Sequence, residues 1–279
     1  MLELGKRQVL IIVKKTDFGI YLAESEDSQD KVLLPKKEVP EGASCGDKMD
    51  VFLYRDSKDR MIATTRQPKL MLGEVAVLEV KDVTKIGAFL DWGLEKDLML
   101  PFKQQTRKVR QGEQCLVALY IDKSGRLAAT MNVYEYLDLN SPYKKDDHVQ
   151  GRIYQISEQF GVFVAVDDKY SGLIPRRDAA GNYYIGDMIE ARVTAVKPDG
   201  KLDLSAREKA YIQIEEDAEA IMEAIEEFSG VLPFTDKANP EVIKRELGLS
   251  KNAFKRGVGR LLKEGRIVIT ERAIRKVEK

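Results

Sequence analysis

The first two hundred residues carry one pattern three times over, and nothing else in the chain restricts its fold as much. The first unit reads DFGIYL at 17–22, LLP at 33–35, GD at 46–47 and DRMIAT at 59–64. The second reads KIGAFL at 85–90, LMLP at 98–101, GE at 112–113 and GRLAAT at 125–130. The third reads QFGVFV at 159–164, GLIP at 172–175, GD at 186–187 and GKLDLS at 200–205. From the FG or IG glycine to the proline is 16, 14 and 14 residues; from the proline to the next glycine it is 11 in every unit; from there to the closing Thr or Ser it is 18, 18 and 19. Unrelated segments do not keep three intervals in step, so each unit is read as one small domain with its own core.

Within a unit the apolar residues alternate or run in short β-rich blocks, as at 9–13, 75–80, 162–166 and 191–196, which is the pattern of strands. About five strands in roughly 65 residues bury too little as an open sheet and leave two unpaired edges; closure into a small barrel removes both faults. The expected fold is mainly β with α: three tandem five-stranded barrels over 1–66, 67–139 and 140–207, followed by a different domain over 208–279. The glycine of each FG or IG pair is expected to mark a bulge or barrel corner, which would bring Phe18 with Tyr21, and Phe160 with Phe163, onto one face.

The order F-G-x-aromatic, G-L-x-P, G-D and a closing L-S or A-T resembles the S1 RNA-binding domain, a resemblance that implies oligonucleotide-binding (OB-fold) barrels. The third unit matches best. The second has Ile86 in place of the first aromatic, and all three units carry Pro35, Pro101 or Pro175 where many members have a nearby histidine. Three such units with the tail described below resemble the bacterial conserved virulence factor B family of RNA-binding regulators.

The residues support nucleic-acid binding on their own account. Single strands are held by aromatic faces that stack unpaired bases, worth about 1–3 kcal/mol per base, together with cations that follow the phosphates. The aromatics are Phe18 and Tyr21, Phe89 with Trp92, and Phe160 with Phe163. Phe18 and Phe160 are expected at the surface, Tyr21, Phe89 and Phe163 either there or in barrel cores, and Trp92, in a DWG loop, as a barrel cap. Cations recur after the proline, at Lys36, Lys37, Lys103, Arg176 and Arg177, and after the last turn, at Arg60, Arg126 and Lys201. Three weak sites in series would gain by effective concentration if the connectors at 66–71 and 139–145 let them engage one strand.

Beyond Ser205 the period changes from two to about 3.6. Residues 211–228 read as a helix with Ile212, Ile221, Met222, Ala224, Ile225 and Phe228 on its apolar side. Its other side carries Glu215, Glu216, Asp217, Glu219, Glu223, Glu226 and Glu227, which repel phosphate and suit a packing or spacing element. Asn239 and Pro240 open a second helix that runs to Leu247, and Ser250 caps a third over 251–263 with Phe254, Val258, Leu261 and Leu262 inward. Strands at 267–270 and 273–277 complete a winged helix-turn-helix. From Val231 onward thirteen basic residues face six acidic ones, and Lys251, Asn252, Lys255, Arg256 and Arg260 are expected on the outer side of the third helix, toward a phosphate backbone. Winged helices also dock proteins.

Over the whole chain 46 basic residues balance 46 acidic ones, so any electrostatic attraction must be local. Cys45 and Cys115 stand apart without a CxxC pairing and read as small buried side chains. With His148 the only histidine, no metal-ligand spacing exists, and no metal or cofactor is expected. The apolar run at 9–13 is too short for a leader or a membrane span, which points to the cytoplasm. Asp146 with Asp147, and Asp167 with Asp168, read as turn residues, and no GxxxxGK[ST] loop is present, so the chain is not expected to be an enzyme. The expected function is a monomeric regulator that binds single-stranded RNA. The alternatives are a transcription regulator reading duplex DNA through the winged helix, and an adaptor for the ribosome or an RNA-processing nuclease.

Overall fold

The computed structural model describes residues 1–179, 182–206 and 210–277, except for the side chains of 210–213. The chain divides into two compact units, Met1–Ala206 and Arg207–Lys279.

The first unit holds three copies of one topology. Strands β1 (Arg7–Thr16), β2 (Gly19–Ala23), β3 (Val32–Pro35), β4 (Lys48–Arg55) and β5 (Met61–Thr64) close in the order β1-β2-β3-β5-β4. Only β3 and β5 run parallel. The second copy, β6 (Val75–Val83), β7 (Gly87–Asp91), β8 (Leu98–Pro101), β9 (Gln114–Ile121) and β10 (Leu127–Thr130), has the same order, with β8 and β10 side by side but not laddered together. The third, β11 (His148–Ser157), β12 (Gly161–Val166), β13 (Tyr170–Pro175), β14 (Met188–Val196) and β15 (Leu202–Ser205), closes like the first.

The repeat intervals have a structural cause. Gly19, Gly87 and Gly161 are the direct cross-strand partners of Pro35, Pro101 and Pro175. Each glycine opens its strand where a Cβ would fall against the carbonyl oxygen of Leu34, Leu100 or Ile174, and Gly161 has a φ of +121° besides. Only glycine permits that approach. The expected bulge lies elsewhere: the register shifts between Ile12 and Lys14, Val80 and Asp82, and Ile153 and Gln155, in the strand before the glycine. Alternation still does not separate the aromatics, because Phe18 and Phe160 sit in the turn ahead of the strand.

Each barrel has an interior of its own, built on residues such as Leu22 and Leu34, Leu90 and Leu100, and Val164 and Leu204. The cores do not stop at the barrel walls. Trp92, 3% exposed, packs edge-on against Phe52 and Tyr54 of β4, with ring centroids 5.8 and 6.3 Å away, and its indole N–H donates to the Lys96 carbonyl at 2.6 Å. It therefore caps the second barrel with the wall of the first. The connector at 66–71 is packed as well: Pro68 and Leu70 are buried, and the Lys69 amide donates to the Trp92 carbonyl at 2.8 Å. Between the second and third barrels, Val133 and Leu137 join Leu116, Ala118, Tyr154 and Ala165 in one apolar cluster. Residues 66–71, and residues 133–137 ahead of the second connector, are thus held by packing and are not slack linkers.

The second unit contains α1 (Ala210–Glu227), β16 (Val231–Leu232), α2 (Pro240–Leu247), α3 (Lys251–Lys263), β17 (Ile267–Ile269) and β18 (Ile274–Lys276), with sheet order β16-β18-β17. The helix ends follow capping chemistry. The Asn239 side chain accepts from the Glu241 amide at 3.1 Å, that of Ser250 from the Ala253 amide at 3.2 Å, and Gly248 ends α2 with a φ of +69°. Ile221, Ile225, Ile243, Phe254, Val258 and Leu261 form the core. Three expectations fail in detail. Phe228 and Leu262 are exposed, lying past the last packed turn and on the outer side of α3, and Asp217 is buried, facing Arg256 of α3 at 3.8 Å. The side chains of Tyr211 and Ile212 lie outside the described residues. Among the described residues no helix is long and apolar enough to cross a membrane.

Candidate nucleic-acid interface

In the third barrel a hydroxyl turn builds the aromatic surface. The Ser157 Oγ accepts from the amides of Gln159 and Phe160, both at 3.3 Å, and holds Phe160 outward, 56% exposed. The Phe160 carbonyl then accepts from the Arg176 amide at 3.0 Å, which ties the backbone after the proline to that of the ring. Phe163 is half-buried, with its centroid 6.5 Å from Phe160 and 6.0 Å from Tyr154. Burial holds the Tyr154 phenol well above the ordinary tyrosine value, so it backs Phe163 as a neutral ring. A groove on this side is lined by Tyr134, Phe160, Phe163, Leu173, Lys197 and Lys201. Lys201 pairs with Asp199 at 2.9 Å, and that hydrogen bond raises its pKa, keeping it charged. Arg177 is exposed beside Asp178 at 3.4 Å. An adjoining groove is lined by Arg176, Tyr183 and Tyr184.

The first barrel repeats half of this. Phe18 is 58% exposed and meets the half-buried Tyr21 edge-on at 6.3 Å, and its carbonyl accepts from the Lys36 amide at 2.9 Å. Lys36 and Lys37 are exposed, but Lys37 is paired with Glu95 of the second barrel, and Arg60 is clamped by Asp56 at 2.7 and 3.0 Å.

In the second barrel the corresponding surface is weaker. Ile86 is exposed where its counterparts are aromatic, and Phe89 is half-buried in a groove walled by Tyr54, Arg55 and Asp59 of the first barrel. Arg126 is bound to Asp59, and the Lys96 ammonium donates to the Asp56 carbonyl at 2.9 Å. Lys103 is exposed. Among the described residues no ion pair engages Lys36, Lys103 or Arg176. The expected cations thus divide into some open to solvent and others spent on neighbouring carboxylates.

In the second unit, Asn252, Lys255, Arg256 and Arg260 lie on the exposed side of α3, and Lys251 is half-buried at its start. Arg260 pairs with Glu264, Arg266 with Glu219 at 2.6 Å, and Lys276 with Glu226. The acidic residues of α1 therefore offset part of the basic surplus. Over 208–279 fourteen acidic residues balance fourteen basic ones; among the described residues of α3, Arg256 and Arg260 face carboxylates, and Lys251, Lys255 and Lys263 engage no ion pair. One further correction concerns a single residue. Cys45 is exposed in a turn, and only Cys115 is buried. Trp92, expected as a cap, is sequestered and offers no stacking face.

The residues that sequence reading missed are Tyr134 and Tyr184. Tyr134 belongs to an aromatic run, VYEYLDLNSPY at 133–143, that aligns with nothing in the other repeats. Tyr184 lies in the GNYYIGD stretch ahead of the third GD pair.

Comparison with known proteins gives a consistent division. An S1 domain profile matches residues 4–66 and 72–132, an S1 RNA binding domain profile matches 143–207, and a CvfB-like winged helix domain profile matches 219–275. None of these families is described as an enzyme. The uncharacterized protein YitL of Bacillus subtilis (strain 168) is 29% identical over 272 residues, covering 94% of this chain and 90% of that protein. Conserved virulence factor B of Staphylococcus epidermidis (strain ATCC 12228 / FDA PCI 1200) is 25% identical over 276 residues, 92% of each chain. A crystal structure of a multidomain protein with nucleic acid binding domains from Streptococcus pneumoniae TIGR4 covers 98% of both chains at 24% identity, with a TM-score of 0.48.

Proposed function

The chain belongs to the conserved virulence factor B family, and on that footing we propose that it is a non-catalytic regulator that holds single-stranded RNA, chiefly on its third barrel. The observation that carries this reading is the open pair Phe160 and Phe163, with the Arg176 amide tied to the Phe160 carbonyl and Lys201 on the same groove. Accessible rings with cations close by in the fold, Arg176 among them without an ion pair in the described residues, are what unpaired bases and their phosphates require. A duplex offers its phosphates but not its base faces, so this surface favours a single strand.

In this reading Phe160 and Phe163 stack bases while Arg176, Arg177 and Lys201 neutralise phosphates. The first barrel adds a weaker contact through Phe18, Tyr21 and Lys36, and the second serves mainly as a spacer. Lys251, Asn252 and Lys255 of α3 add an electrostatic contact. In this reading the partner is single-stranded RNA; an adaptor for the ribosome or an RNA-processing nuclease is the alternative.

The test is fluorescence anisotropy of a labelled single-stranded RNA and a duplex DNA, each titrated with the full chain and with Phe160→Ala at two salt concentrations. RNA should bind more tightly than duplex, and Phe160→Ala should weaken RNA binding by roughly 5- to 150-fold while duplex binding stays unchanged. Tighter binding to duplex DNA, with Phe160→Ala neutral on RNA, would favour the transcription-regulator alternative.

A further inference from the structure

Resting on the reading that the third barrel holds single-stranded RNA, we propose that Tyr134, supplied by the connector and not by the barrel, is a third base-contacting ring of that site. It lies between the matched segments 72–132 and 143–207, outside both. A short helical turn, Tyr134–Tyr136, presents it. That turn is held from both ends, because Val133 and Leu137 are buried against Leu116 and Ala118 of the second barrel and Tyr154 and Ala165 of the third.

A second fit fixes the opposite wall. Gly200, with a φ of +86°, sits so close to the connector that a Cβ would fall against the Leu139 carbonyl oxygen. The hairpin that bears Lys201 is thereby seated on the same connector that bears Tyr134. The Lys201 ammonium lies 5.4 Å from the centre of the Tyr134 ring. The ring meets Phe163 edge-on at 5.9 Å, lines the same groove as Phe160, and remains 38% exposed. Two rings standing steeply to Phe163 in one groove, with a cation at one of them, form a nucleotide-sized recess: a planar base against the rings, its phosphate toward the ammonium. The connector thus contributes chemistry as well as spacing, and the third barrel's site is complete only when its connector is docked against the second barrel.

The test uses the full chain and a fluorescein-labelled mixed-sequence RNA of ten nucleotides. Tyr134→Ala should weaken binding about tenfold, whereas Tyr134→Phe, which keeps the ring, should stay within about twofold. Tyr134→Trp supplies a direct contact signal. Trp92 is buried, so quenching that grows with RNA in Tyr134→Trp and is absent from the wild type reports a base against position 134. If Phe160→Ala loses affinity while Tyr134→Ala binds like the wild type, this inference fails and the underlying reading stands. An unquenched Tyr134→Trp that binds normally also overturns it. Failure of the wild-type chain to bind the RNA overturns both.

Discussion

Arg126 of the second barrel grips Asp59 of the first through three hydrogen bonds of 3.1 to 3.2 Å. The position looks in sequence like a phosphate contact, yet its guanidinium already serves a carboxylate 67 residues away. Arg176, at the edge of the third barrel's aromatic pair, carries no such partner among the described residues. The two therefore give opposite expectations. Arg126→Ala should leave RNA affinity and its salt dependence unchanged and cost at most about 1 kcal/mol of stability, as exposed ion pairs do. Arg176→Ala should weaken binding and lower the slope of log K against log salt by about 0.7, the single-strand value for one phosphate. Equal loss in both variants would return Arg126 to the interface.

Trp92 is the pivot between the first two barrels. Trp92→Ala removes a large buried ring and leaves Phe52 and Tyr54 facing a cavity, a change that typically costs about 3–5 kcal/mol. Urea denaturation followed by circular dichroism should show a loss of unfolding free energy of that size for Met1–Ala206. A loss below about 1 kcal/mol would mean that the two barrels do not share a core.

The cysteines should separate chemically. Cys45 is exposed, whereas burial pushes the Cys115 thiol up to about 11. At pH 8 iodoacetamide should add one group per native chain, at Cys45, and a second only in denaturant. The sign of the pH effect follows from the same burial. With the folded value above the unfolded value of about 8.5, the unfolded state loses its proton first as pH rises. The stability Cys115 contributes is fully present below the unfolded value and is lost as pH rises toward 11. Cys115→Ala should flatten that alkaline decline, and rapid addition of two groups to the native chain would contradict the burial.

Gly161 and Gly112 make a matched pair. Both have positive φ, +121° and +81°, but only Gly161 has backbone where a Cβ would go; Gly112 has nothing within 4 Å. Gly112→Ala should cost about 1–2 kcal/mol, the price of the backbone conformation alone, and Gly161→Ala at least about 3 kcal/mol, since strain and a main-chain collision add. Thermal melts of the two variants check the order.

What could be read from the sequence divides along physical lines. The barrels were legible because glycine and proline face each other across a ladder, so the interval between Gly161 and Pro175 is set by strand length and turn, which are local quantities. The caps Asn239 and Ser250 were legible for the same reason. The pairings of Lys37 and Arg126, and the wall against which Trp92 caps, were not, since each depends on a residue in the neighbouring repeat, and no periodicity reports such a meeting. Asp217 was misplaced because a carboxylate beside other acids on α1 reads as solvated until α3 is laid against it. Tyr134 escaped notice because the repeat pattern directs attention to residues that recur, and it has no counterpart.

The buried connectors bear on how the molecule can be dissected. A cut after residue 66 would leave Trp92 without the wall formed by Phe52 and Tyr54, and a cut after 139 would strip Val133 and Leu137 from Tyr154 and Ala165. Each fragment would then carry a fresh apolar face, prone to aggregation or to pairing with its own kind. A third barrel expressed alone from residue 140 would lack Tyr134 and a covered flank, and on the proposed role of that ring it should bind RNA at least about tenfold more weakly than the full chain, even if every residue inside it were competent. Fragments made for binding assays should therefore extend through 133–139 and keep the second barrel attached.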